Sequence, residues 1–170
     1  MTSSDLLLDA YGRIRGSVRS TVEGLGPEQL AHRVEPAANS IAWLVWHLTR
    51  VQDDHIADAA GTEQVWTSGR WVDEFALPLE RLDTGFGHSS DEVASVRAPA
   101  KLLANYHDAV HERTTQFVRG LGDPDLDEVI DEGWDPPVTL GVRLVSVVGD
   151  GMQHAGQAAY VRGILQRQGI

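Results

Sequence analysis

The run Ile41-Ala42-Trp43-Leu44-Val45-Trp46-His47-Leu48 is apolar on every face a helix could present, and only His47 interrupts it. A helix that is hydrophobic all round has to be enclosed by other elements, so this segment predicts a central helix that the rest of the chain surrounds. Asn39 and Ser40 stand just before it, and either side chain can accept from the exposed N–H groups of a first helical turn. Asp53, Asp54 and Asp58 predict where the helix emerges into solvent.

Three more long helices supply the enclosure. Leu7, Tyr11, Ile14, Val18 and Leu25 recur at near-helical spacing, with Arg13, Arg15 and Arg19 on other faces, which predicts a first helix over roughly residues 4–23. Gly24, Gly26 and Pro27 end it. Leu103, Tyr106, Val110, Phe117 and Leu121 mark a third helix, stopped by Gly120 and Gly122. The fourth runs from about Thr139 to Gln168 on Leu140, Leu144, Val147, Val148, Ala155 and Val161. No segment reads as a credible strand, so the expected fold is all-α: an up-down four-helix bundle formed by one domain over residues 1–170. The connection from Gly61 to about Ala98 is long and carries Trp66, Trp71, Phe75 and Phe86, which predicts a packed excursion.

Composition narrows the chemistry. The chain has no cysteine, so a metal site could use only imidazole and carboxylate groups. Its formal charge of −11 argues against nucleic acid and anionic membranes, whose affinity rests on Lys and Arg. No apolar stretch approaches a membrane span, and Met1-Thr2-Ser3-Ser4-Asp5 lacks the order of a signal peptide, so a soluble cytoplasmic protein is expected.

Asp150 and His154 lie four residues apart on the fourth helix and therefore one turn apart on one face. That face continues through Val147 and Val161, so two ionisable groups occupy positions where a bundle normally buries aliphatic side chains. Such placement is costly unless the groups are paired or hold a metal. Gly149 and Gly151 flank Asp150, each costing about 1 kcal/mol of helix propensity relative to alanine. They would let this helix approach a neighbour closely enough for Asp150 to reach a ligand there. His47 is the candidate, although a buried histidine in an apolar helix can equally be a hydrogen-bonded core residue.

The stretch Asn39-Ser40-Ile41-Ala42-Trp43-Leu44-Val45-Trp46-His47-Leu48 resembles the second-helix signature of the DinB/YfiT-like superfamily, and Asp150-Gly151-Met152-Gln153-His154-Ala155-Gly156-Gln157 resembles its fourth-helix signature. The resemblance spans nearly the whole chain and implies the bundle with its long connection between the second and third helices. It matches His47 and His154 to two of the superfamily's metal-binding histidines. Asp150 stands where a third histidine is usual, and related mycothiol-dependent isomerases carry a carboxylate there and still bind zinc. The resemblance thus implies a divalent metal, zinc or nickel, on His47, Asp150 and His154. It also implies a homodimer and the transfer or isomerisation of a small electrophile with a low-molecular-weight thiol such as mycothiol or bacillithiol. A metal-dependent hydrolase and a non-catalytic helical dimer with a vestigial site are the alternatives.

Other residues carry weaker signals. His55 sits about 12 Å further along its helix than His47 and is too far away to share an ion. His107 and His111 have metal-ligand spacing but are interleaved with Asp108 and Glu112. Gly85-Phe86-Gly87-His88 could form a mobile lip with His88 free to transfer protons, or a plain loop. Trp66 and Trp71 could line a substrate pocket, Gln157 could orient a ligand, and Arg50 could neutralise an anionic substrate or pair with Asp53 or Asp54.

Overall fold

The computed structural model describes residues 1–170. Four long helices build it: α1 (Ser3–Val22), α3 (Ile41–Ala60), α7 (Ala100–Arg119) and α8 (Leu140–Gln168). Short helices α2 (Pro27–Ala31), α4 (Val65–Ser68), α5 (Trp71–Phe75) and α6 (Ser90–Ser95) occupy the connections. The termini form where local chemistry allows. Thr2 and Asp5 make a reciprocal capping box at the start of α1, Ser40 accepts from the Trp43 amide to cap α3, and Gly61 ends α3 in the left-handed region. One departure from the all-helical reading is a two-stranded antiparallel ladder, β1 (Val129–Asp131) and β2 (Val138–Thr139), leading into the Thr139 cap of α8.

Each long helix packs mainly on two others. α3 and α1 each lie against both α7 and α8, so α1 and α3 are diagonal across the bundle. Cross-links give the directions. Tyr11 Oη donates to the Leu144 carbonyl and Arg162 to the Thr21 carbonyl, so α1 and α8 run parallel. Ser4 Oγ donates to the Leu121 carbonyl near the far end of α7, and Arg15 pairs with Asp108, so α1 and α7 are antiparallel. His47 beside His154, and His55 beside Arg143, make α3 antiparallel to α8. The helices therefore alternate within the pairs α1/α3 and α7/α8, whereas α3 and α7 are parallel, so the bundle runs up-down-down-up and not in the strict up-down order expected from the sequence. Two parallel neighbours cannot be joined by a tight turn, which is why residues 61–99 must travel the length of the bundle.

The core runs the length of that bundle. Trp46, Tyr11, Ile14, Leu44, Leu48, Tyr106 and Leu144 are fully enclosed, and every residue from Ser40 to Arg50 is buried, as the all-apolar run requires. The excursion contributes to this core through Val65, Trp66, Phe75 and Val93. Gly151 also has a packing role, though not the expected one. A Cβ there would lie 3.0 Å from Ile14 Cδ1, so this glycine admits α1, not the histidine-bearing α3, and Gly149 has no neighbour that a Cβ would meet.

Candidate metal centre

His47 sits in the enclosed middle of α3, and Asp150 and His154 lie one turn apart on α8 facing it. One ligand-type atom from each lies within 4.8 Å of those of the other two. The sequence thus named three residues that the fold brings together across 103 positions of chain.

Each histidine has one ring nitrogen committed elsewhere. His47 Nδ1 donates to the Thr84 carbonyl at 2.5 Å, and His154 Nδ1 donates to Gln157 Oε1 at 2.9 Å. Gln157, one turn beyond His154, therefore orients that imidazole. Both Nε2 atoms are left for the shared space. Trp43 stacks on the His47 ring with centroids 4.5 Å apart and 14° between planes, and closes one side of it.

Electrostatics separate the two imidazoles. Burial, reinforced by the charges of His154 and His88, holds His47 below the ordinary histidine value against the Thr84 and Asp150 contributions. The shift favours the neutral imidazole, the form that can bind a metal. The Asp150 carboxylate raises His154, overcoming the opposing effect of burial, with its Oδ1 3.3 Å from His154 Nε2. Whenever His154 carries a second proton, on Nε2, that proton bridges to Asp150 and would have to leave for a cation to enter. Asp150 Oδ2 remains buried with no hydrogen-bond partner. A carboxylate oxygen enclosed and unsatisfied beside two imidazole lone pairs is a donor set that fits a divalent cation.

The segment Asp83–His88 forms a wall of the centre. Gly85 has φ +91°, and a Cβ there would lie 2.8 Å from His47 Nδ1 and 3.0 Å from Trp46 Cζ3, so only glycine lets this backbone rest against the ring. His88 is not free for proton transfer, because its Nε2 donates to Asp83 Oδ2 at 2.9 Å and its Nδ1 accepts from Trp43 Nε1 at 3.1 Å. Phe86, at the tip of the turn, is 92% exposed. A groove of about 290 Å³, lined by Asn39, Leu44, Gln157, Tyr160 and Val161, meets the centre through Gln157, the hydrogen-bond partner of His154.

Other residues fall outside the centre. Arg50 is wholly buried and pairs with Asp53, so it cannot meet an anionic substrate. Asp53 is buried too, accepting from the Val65 and Trp66 amides and from Tyr106 Oη; it does not mark the emergence of α3 into solvent. Trp66 belongs to the core and Trp71 packs on Tyr106. His55 is half-buried and accepts from Arg143 at 2.9 Å, well away from the ligand set. His107 is entirely buried, with His111 stacked beside it, and neither approaches the centre. The sequence reading missed the Thr84 carbonyl, a backbone group that no residue pattern reveals, and Gly85, whose positive φ could have been suspected from Gly85-Phe86-Gly87 alone.

No helix is long and apolar enough to cross a membrane. The sequence matches a family model described as Mycothiol-S-transferase over residues 6–167. It is similar to a solved structure, the crystal structure of the conserved protein of locus from Enterococcus faecalis, at 31% identity and a TM-score of 0.89, with 95% of this chain and 96% of that chain covered. No curated protein matches it.

Proposed function

The chain belongs to the mycothiol-S-transferase family, a DinB/YfiT-like family, and from that premise we propose that it is a metal-dependent S-transferase or isomerase that uses a low-molecular-weight thiol to act on a small electrophile. The observation that carries the reading is the convergence of His47, Asp150 and His154, with one Asp150 oxygen buried and unpartnered. These three residues would hold one divalent ion; two imidazoles and a carboxylate suit zinc, with nickel next. When bound, the ion supplies Lewis acidity that lets a thiol ionise near neutral pH.

The rest is done by the chain itself. Thr84 and Gln157 fix both imidazoles with Nε2 facing inward, so neither ring has to turn when a ligand arrives. Trp43 shields His47 from water. The groove bordered by Leu44 and Tyr160, which Gln157 connects to His154, offers an apolar wall on which an electrophile could rest. A thiol drawn from solution suits a chain with no cysteine of its own.

The test is conversion of a panel of small electrophiles with and without mycothiol, and in parallel bacillithiol, the thiol being consumed by a transferase and regenerated by an isomerase. Thiol-dependent turnover should vanish in chelator-stripped protein and return on adding zinc. Turnover that survives stripping, or proceeds without thiol, would overturn the reading, the second outcome indicating a hydrolase.

We further propose a homodimer. The resemblance supports it, as does the outer face of α8, where Val142, Val145, Met152 and Tyr160 are at least half exposed and Gly149 and Gly156 leave open surface. Light scattering at micromolar concentration should give twice the 18.6 kDa chain mass, and a monomeric mass would refute it.

A further inference from the structure

Residues 81–84 form neither helix nor strand, yet each of their four consecutive carbonyls accepts a hydrogen bond from a largely or wholly buried side chain. Trp66 Nε1 donates to the Arg81 carbonyl at 2.8 Å. Arg50 Nη2 and Nε donate to the Leu82 and Asp83 carbonyls at 3.3 and 3.0 Å. His47 Nδ1 takes the last, Thr84. The remaining Arg50 donors go to Gln64 Oε1, Asp53 Oδ2 and Tyr106 Oη, so all five of its N–H groups are used. Its guanidinium also lies over the Trp66 ring, 4.9 Å from the centroid. Asp83 secures the other end of the turn through the Gly85 amide and His88.

A loop needs far fewer anchors merely to stay ordered. What the row of anchors achieves is register: with the Leu82 and Asp83 carbonyls held in the fork of Arg50, the next carbonyl falls on the His47 ring. We propose that Arg50 is a positioning residue for the metal centre. By gripping the Leu82 and Asp83 carbonyls it sets the Thr84 carbonyl so that His47 keeps its proton on Nδ1 and presents Nε2 to Asp150 and His154. The part concerning metal rests on the ligand set proposed above; the part concerning the His47 tautomer does not. Lysine cannot substitute, because a single ammonium cannot span two carbonyls and three further acceptors.

The test uses metal-free full-length protein labelled with ¹⁵N-histidine. Long-range ¹H–¹⁵N correlation should show His47 in the wild type as the Nδ1–H tautomer, and in Arg50→Lys as the Nε2–H tautomer or a mixture. Zinc affinity by competition with a chromophoric chelator should fall about 10- to 100-fold in that variant, the range expected when a ligand loses its orienting partner. Trp66→Phe keeps the ring over Arg50 but releases the Arg81 carbonyl, and should move both readouts the same way by less. Circular dichroism selects the variants that fold, and if Arg50→Lys does not, Trp66→Phe decides alone. An unchanged His47 tautomer in the folded variants overturns the proposal. A tautomer change in a protein that never binds zinc would leave the positioning role standing and refute the metal reading instead.

Discussion

Asp150→Ala is expected to abolish metal retention. Wild-type chain purified without a histidine tag should carry about one divalent ion, and the variant should bind at least about 100-fold more weakly, since losing an orienting group alone costs 10- to 100-fold. Alanine removes a carboxylate whose Oδ2 is buried without a partner but also the Oδ1 that faces His154 Nε2, so the two effects on the folded apo protein oppose each other, and circular dichroism establishes that the variant folds. Plasma mass spectrometry per chain reads the result. His47→Ala should lose metal similarly, because Nε2 has no substitute across the α3–α8 interface, while His107→Gln should keep it. Equal retention in all three, or equal loss, would contradict the assignment. So would a wild type that takes up no zinc or nickel on incubation, the result expected of a vestigial site.

A second large effect is expected on acidification, from His107. Both of its ring nitrogens are buried without hydrogen-bond partners, and burial, with smaller contributions from His111 and Arg15, pushes its pKa down to about 3. The folded chain keeps this imidazole neutral, whereas the unfolded chain protonates it near pH 6.5. Stability is therefore intact above pH 6.5 and drains away as pH falls from there towards 3, on the order of 1 kcal/mol per pH unit. His107→Leu removes both the proton acceptor and the unsatisfied donor. It should flatten this acid limb and leave stability at pH 7 equal or greater. Urea denaturation at a series of pH values checks it, and an acid limb with the same slope in wild type and variant would show that His107 is solvated.

What is legible in this chain is what a sequence encodes locally. Helix boundaries and the enclosed position of α3 were legible because apolar spacing, Ser40 and the terminal glycines act within a few residues of where they stand. The clustering of the three candidate ligands was legible because Asp150 and His154 violate the apolar pattern of their own face. Helix direction was not, since periodicity is the same read either way, and the parallel α3/α7 pair had to come from contacts such as Ser4 with Leu121. Arg50 and Asp53 looked like surface charges by residue type. Their burial depends on Gln64, Tyr106 and the 82–83 carbonyls, partners supplied by distant chain. Gly151 was rightly singled out as a close approach but assigned to the wrong neighbour, because a glycine marks proximity without naming what comes near.

The separation of the ligands along the chain has a thermodynamic meaning of its own. His47 and Asp150 stand about 100 residues apart, and an ion held between them would close a loop of that length. In an unfolded chain, closing such a loop costs roughly 4–5 kcal/mol of configurational entropy, so a denatured molecule could offer zinc at best the Asp150–His154 pair. The ion would therefore discriminate between native and denatured chain and act as a removable cross-link in a protein that has no cysteine with which to form a covalent one. At a free-ion concentration of about 100 times Kd it would add roughly 2.7 kcal/mol to stability, a contribution that rises and falls with metal supply.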